Sequence, residues 1–198
     1  MTKTKTIILR QFDDCDKELQ KKILDNYRYI ETEWYDLLEN EYYVNMLAEY
    51  GFNCSRKDID YDISYCQGSG ASFRCSDIDW SIVLKDMDLR HKKWWCEYLK
   101  DCGVSIKDNM SRYSHEMTKY IDTENCVLDY RGAEHDYPHL SREFDRILAY
   151  AEDRRLSACY KLYHDLEEEY EGLTSDEYVA ETLRCNEYYF NERGEIDG

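Results

Sequence analysis

Proline is almost missing from this 198-residue chain, which has one, Pro138, and only eight glycines. A collagen-like or proline- and glycine-rich disordered chain is thereby excluded. Nine cysteines are present, but no two stand as C-x-x-C, which argues against zinc ribbons and fingers. Their odd number, and the lack of a signal-peptide-like apolar run after Met1 to Lys5, predict free thiols in a reducing cytoplasm. No stretch approaches the ~18 consecutive apolar residues of a membrane-spanning helix. Positive charge is scarce too: 26 Lys and Arg face 43 Asp and Glu, a net charge of −17. That balance argues against direct binding to DNA or RNA, whose phosphates attract Lys and Arg, and against an acidic membrane surface.

What is present predicts a folded chain. Hydrophobic residues make up 42% and aromatics 15%, with 20 Tyr and 4 Trp, in a length that suits a single domain. There is no internal repeat. The central feature runs from Ile59 to Cys75. Ile59, Tyr61, Ile63 and Tyr65 alternate with Asp60, Asp62 and Ser64, and Ala71, Phe73 and Cys75 alternate with Ser72 and Arg74. This two-residue period predicts a β-hairpin with one wet face, turned at Gln67-Gly68-Ser69-Gly70 by two residues that tolerate positive φ.

Around the hairpin the chain predicts an α+β fold: an antiparallel sheet covered by N-terminal helices and a long C-terminal helix. A terminal strand over residues 6–12 is expected to join the hairpin's sheet. One helix carries Leu19, Ile23, Leu24, Tyr27 and Ile30, and a second from about Thr32, including Trp34, stops at Gly51. Alternation of Ile78, Trp80, Ile82 and Leu84 predicts a strand, followed by a helix holding Trp95 and Leu99 that ends near Gly103. Residues 104–106 and 111–121 read as further strands, with Tyr113, His115 and Met117 on one face. A long helix starts at Ser141 and is closed by Gly172; Thr174-Ser175-Asp176-Glu177 then fits a capping box for the next one. Tyr188 to Phe190 reads as an edge strand.

The run FDD-x-D-K-E-x-Q-K-K from Phe12, E-W-Y-D from Glu33, and C-Q-G-S-G-A-S-F over Cys66 to Phe73 resembles an uncharacterised family of bacteriophage and prophage proteins. The hallmark of that family is a Ser-Gln-Gly-Asp/Arg-Gly-Ala-Ser/Cys-Phe hairpin, and some members carry an antitoxin-like label. Tyr113 to Glu116 and Leu173 to Glu177 resemble its later landmarks, so the likeness covers nearly the whole length. Cys66 stands where the pattern has Ser, and Ser69 where it is acidic or basic. The resemblance implies a phage origin and action in the host cytoplasm.

Two functions compete. In the first, the chain binds and inhibits or modulates a host protein with a basic surface, plausibly a CRISPR or nuclease component of defence or another nucleic-acid-handling protein. Twelve acidic residues against Arg184 and Arg193 between Asp165 and Gly198 make that region the candidate surface, with Asp165, Glu168, Glu169, Asp176 and Glu177 as contacts mimicking nucleic-acid charge. In the second, the chain is a small-ligand binder or an enzyme, with a ligand such as a nucleotide held by Gln67, Ser69, Ser72, Tyr113 and His115 around the glycine loop and His115 as the candidate general base. No catalytic residue, cofactor or metal is assigned. His135-x-x-x-His139 has zinc-like spacing only on a helix, which Pro138 disfavours at Tyr137, and no G-x-S-x-G elbow is present.

Overall fold

The computed structural model describes residues 8–32, 35–39, 41–126 and 138–196. In chain order these form β1 (Arg10–Gln11), α1 (Lys17–Tyr27), α2 (Tyr42–Glu49), β2 (Phe52–Asn53), β3 (Ile59–Asp62), β4 (Gly70–Phe73) and β5 (Asp77–Ile78). They continue with α3 (Trp80–Val83), α4 (Lys92–Asp101), β6 (Ser105–Asp108), β7 (Lys119–Asp122), α5 (Pro138–Leu173), α6 (Asp176–Cys185) and β8 (Tyr189–Phe190). The fold is α+β. Its strands form small antiparallel pairs: β1 with β8, β2 with β5, β3 with β4, and β6 with β7. No helix among the described residues is long and apolar enough to cross a membrane.

The chain divides into two compact units, Met1–Glu39 with Glu167–Gly198, and Asn40–Leu166. The first is built on the apolar stripe of α1. Ile23 is fully buried among Phe12, Cys15, Val179, Ala180, Leu183 and Phe190, with Leu19, Leu24, Tyr27 and Ile30 packed at the margin. Asp16 caps α1 by accepting from Leu19 N at 2.9 Å. The terminal strand does not join the hairpin; Arg10 and Gln11 pair with Phe190 and Tyr189 at the other end of the sequence.

The second unit contains the hairpin. Ile59 pairs with Phe73, Asp60 with Ser72, Tyr61 with Ala71 and Asp62 with Gly70, so the expected hairpin is present. The connection is longer than a tight turn, Ile63 to Ser69, and the positive φ falls on Tyr65 (55°) and Gly70 (154°) rather than on both glycines. β4 has no wet face, since Gly70, Ala71, Ser72 and Phe73 are all buried. The 3-10 turn Glu116–Thr118 packs over it, and the hydroxyls of Ser72 and Thr118 share a hydrogen bond at 3.2 Å.

Local side-chain chemistry explains where alternation misleads. After β5, Asp79 accepts from Ser81 N (3.0 Å) and Ile82 N (3.3 Å), so Trp80 opens a helix instead of extending a strand. Between β6 and β7, Asn109 accepts from Ser111 N, Ser111 Oγ from Tyr113 N, and His115 Nδ1 from Met117 N. Three successive side-chain caps turn residues 111–118 into a loop and 3-10 turn, and only Lys119–Asp122 is strand. The helix expected from Thr32 is a 3-10 turn, Leu37–Glu39, followed by α2; Trp34 lies outside the described residues. Gly51 ends α2 at φ 97° as expected. The long helix begins at Pro138, where a missing N–H is harmless, and reaches Leu173.

Candidate functional site

Apart from Asp165, the acidic candidates fall in one unit and the hairpin candidates in the other. In the first unit, α5 ends and α6 begins within two residues, and side chains fix that junction. Thr174 does not cap α6; its hydroxyl donates back to the Tyr170 carbonyl at 2.9 Å. Ser175 is the cap, accepting from Tyr178 N at 3.2 Å and donating to the Gly172 carbonyl at 2.8 Å. Arg28 fastens the same corner, donating to the Thr174 carbonyl (2.8 Å) and to Asp176 Oδ1 (2.8 Å). The Asp176 bond, with a second to Asp25 at 3.1 Å, holds the Arg28 guanidinium above its usual pKa.

Over this corner lies an open surface groove of about 530 Å³ lined by Glu169, Gly172, Leu173, Ser175, Glu177 and Tyr178. Two expected contact residues, Glu169 and Glu177, are therefore on one groove, and Asp176 adjoins it. Glu169 accepts from the Tyr35 hydroxyl at 2.9 Å, a bond that raises the phenol's pKa. Glu168 is exposed on α5. Asp165 belongs to the other unit and is spent there: it accepts from Tyr42 at 2.8 Å, pairs with Lys161 at 2.7 Å, and its side chain is 12% exposed. The groove's apolar and aromatic members, Gly172, Leu173 and Tyr178, are absent from the acidic set read in the sequence. A glycine in the last turn of a strongly charged helix, six residues before a tyrosine, is the signal that could have found them.

The second set is brought together, as a packed assembly. A Cβ on Gly68 would run into the Tyr113 ring, and one on Gly70 would lie 2.6 Å from His115 Cα, so the loop carrying Tyr113 and His115 rests directly on both glycines. Tyr113 and His115 rings stack with centroids 5.9 Å apart. The polar groups mostly face inward or along the turn. Ser69 Oγ accepts from Cys66 N at 2.8 Å, Ser72 is bound to Thr118, and His115 Nδ1 is committed to Met117 N. Gln67 is exposed. The fully buried Arg155 of α5 holds the far side of the loop, with two bonds to Glu152 (2.6 and 2.8 Å) and one to the Glu116 carbonyl (3.0 Å).

Cys66 was outside either set. Its exposed Sγ accepts from Ser64 Oγ at 3.3 Å and Ser69 Oγ at 3.7 Å, and those bonds with the Gly68 amide lower the thiol's pKa, Ser64 contributing most. All nine cysteines are free. Among the described residues no group of three or more His, Cys, Asp and Glu is placed to hold a metal ion. His139 sits in the first turn of α5, and His135 lies outside the described residues. Compared with known proteins, the chain matches no family model, no characterised protein and no solved structure.

Proposed function

We propose that this chain is a phage-encoded acidic protein that binds, and thereby inhibits or modulates, a host protein with a basic surface. A CRISPR or nuclease component of host defence, or another nucleic-acid-handling protein, has the required chemistry, since its cleft is built to attract phosphate. The resemblance supports the phage origin. The observation that carries the binding mode is the distribution of charge. The unit formed by residues 1–39 and 167–198 holds 20 acidic against 9 basic residues, while the longer unit holds 23 against 17. Glu168, Glu169 and Glu177 stand on that acidic unit beside exposed Tyr35 and Tyr178, and tyrosine supplies rigid contact area at low entropic cost.

The test is capture from host lysate by the tagged chain and by a Glu168→Lys, Glu169→Lys, Glu177→Lys variant, at low and moderately high salt. Asp165 and Asp176 stay unchanged because Lys161 and Arg28 depend on them. A basic partner retained stoichiometrically by the parent, released by salt and missed by the variant supports the proposal. Equal retention by both proteins refutes it. The competing reading, a small ligand at the hairpin, would have to rely on Gln67 and the outer face of His115, because Ser69, Ser72 and His115 Nδ1 are engaged.

A further inference from the structure

We infer that the groove at the α5–α6 corner receives an arginine or lysine side chain projecting from an amphipathic segment of the partner, an assignment that rests on the proposed binding function. Its lining is mostly apolar, with Gly172, Leu173 and Tyr178 among the six residues that form it. Apart from its chain neighbours and the backbone of its own helix, no described residue comes within 4 Å of where a Gly172 Cβ would stand, so the space beside the helix there is open. Glu169 and Glu177 supply two carboxylates at the same groove, one from each helix. A long basic side chain suits this lining, its methylenes lying along the apolar residues and its cationic end directed to Glu177 and to Glu169, which also accepts from the Tyr35 hydroxyl. The Tyr178 face adds attraction for the same cation. A neutral apolar side chain would leave the carboxylates partly desolvated, and an acidic one would be repelled by a unit whose charges run 20 to 9.

Gly172 separates shape from charge. Leucine there fills the groove, changes no charge and improves helix propensity, so the variant folds at least as well as the parent. The probe is a fluorescein-labelled peptide of alternating leucine and arginine, followed by anisotropy, with leucine–glutamate and serine–arginine peptides as controls. We expect binding of the leucine–arginine peptide to weaken about tenfold in Gly172→Leu and again in Glu169→Gln with Glu177→Gln. The serine–arginine peptide should bind less well and the leucine–glutamate peptide not at all. Unchanged affinity in Gly172→Leu would mean attraction to diffuse charge and would overturn the groove. If Gly172→Leu also retains the lysate partner, only the groove fails and the acidic-surface reading stands. If the peptide needs the groove but neither protein captures a salt-sensitive partner, the groove's chemistry stands and the proposed function fails.

Discussion

At the tip of the hairpin the sulfur of Cys66 is surrounded by donors, and that sets it apart from the thiols that burial raises. Ser64, Ser69 and the Gly68 amide favour its thiolate, so at any given pH it holds a larger ionised fraction than an ordinary cysteine. Burial acts oppositely elsewhere: it pushes Cys54 and Cys159 up to about 12 and Cys75 to about 11. Iodoacetamide at neutral pH should therefore modify Cys66 first, while Cys54, Cys75 and Cys159 stay unmodified until the chain is denatured. Peptide mapping after brief labelling checks the order. Equal labelling of Cys66 and Cys159 in the native protein would contradict both environments. Ser64→Ala removes the largest contribution and should slow labelling of Cys66 without touching the other three.

The hairpin as an element depends on two glycines in different ways. At Gly70 the obstacle is the His115 backbone, held in place by Arg155 through the Glu116 carbonyl, and φ is 154°. At Gly68 the obstacle is the Tyr113 ring, whose residue is 43% exposed and has room to swing aside. Gly70→Ala should thus destabilise by about 2–3 kcal/mol and Gly68→Ala by about 1 kcal/mol, read from urea denaturation midpoints. Equal losses would show that the loop does not rest on Gly70 as described. This hairpin was legible in the sequence because alternation and turn glycines act locally. So were α1, whose stripe reaches the core, and the stop at Gly51. The β1–β8 pairing was not legible, since it joins Arg10 to Phe190 and short edge segments carry no partner code. Nor were α3 and the 111–118 loop, where Asp79, Asn109, Ser111 and His115 take backbone amides that alternation assigned to a ladder. In the candidate groove the carboxylates were legible as a charge run. Gly172, Leu173 and Tyr178 were not, because a groove exists only once two helices meet.

For the whole molecule, charge governs stability through two opposed effects that separate along the pH axis. Asp13, Asp58, Asp62, Asp79 and Asp122 are held below the usual 3.8, chiefly by Arg184, Ser55, Ser64, Ser81 and Lys107 respectively. Because the unfolded chain binds protons more readily at these groups, the stability they contribute is complete above the unfolded value and is lost as pH falls through the folded ones. The pairs that raise Lys107 and Lys161 weaken only as pH rises through their elevated values, far above neutrality. Self-repulsion works in the other direction. A net charge of −17 is held closer together in the folded state than in the unfolded one, so shedding negative charge on mild acidification stabilises the fold. Thermal midpoints should therefore climb from pH 7 to about pH 5 and drop below about pH 4, where the paired aspartates protonate. Sodium chloride added at pH 7 should reproduce the climb by screening, and added at pH 5 should do much less. A midpoint that is flat from pH 7 to pH 5 and indifferent to salt would mean that local pairing already offsets the repulsion. The acidic unit would then hold less uncompensated field than its 20 to 9 composition implies, and long-range steering of a basic partner would lose its source.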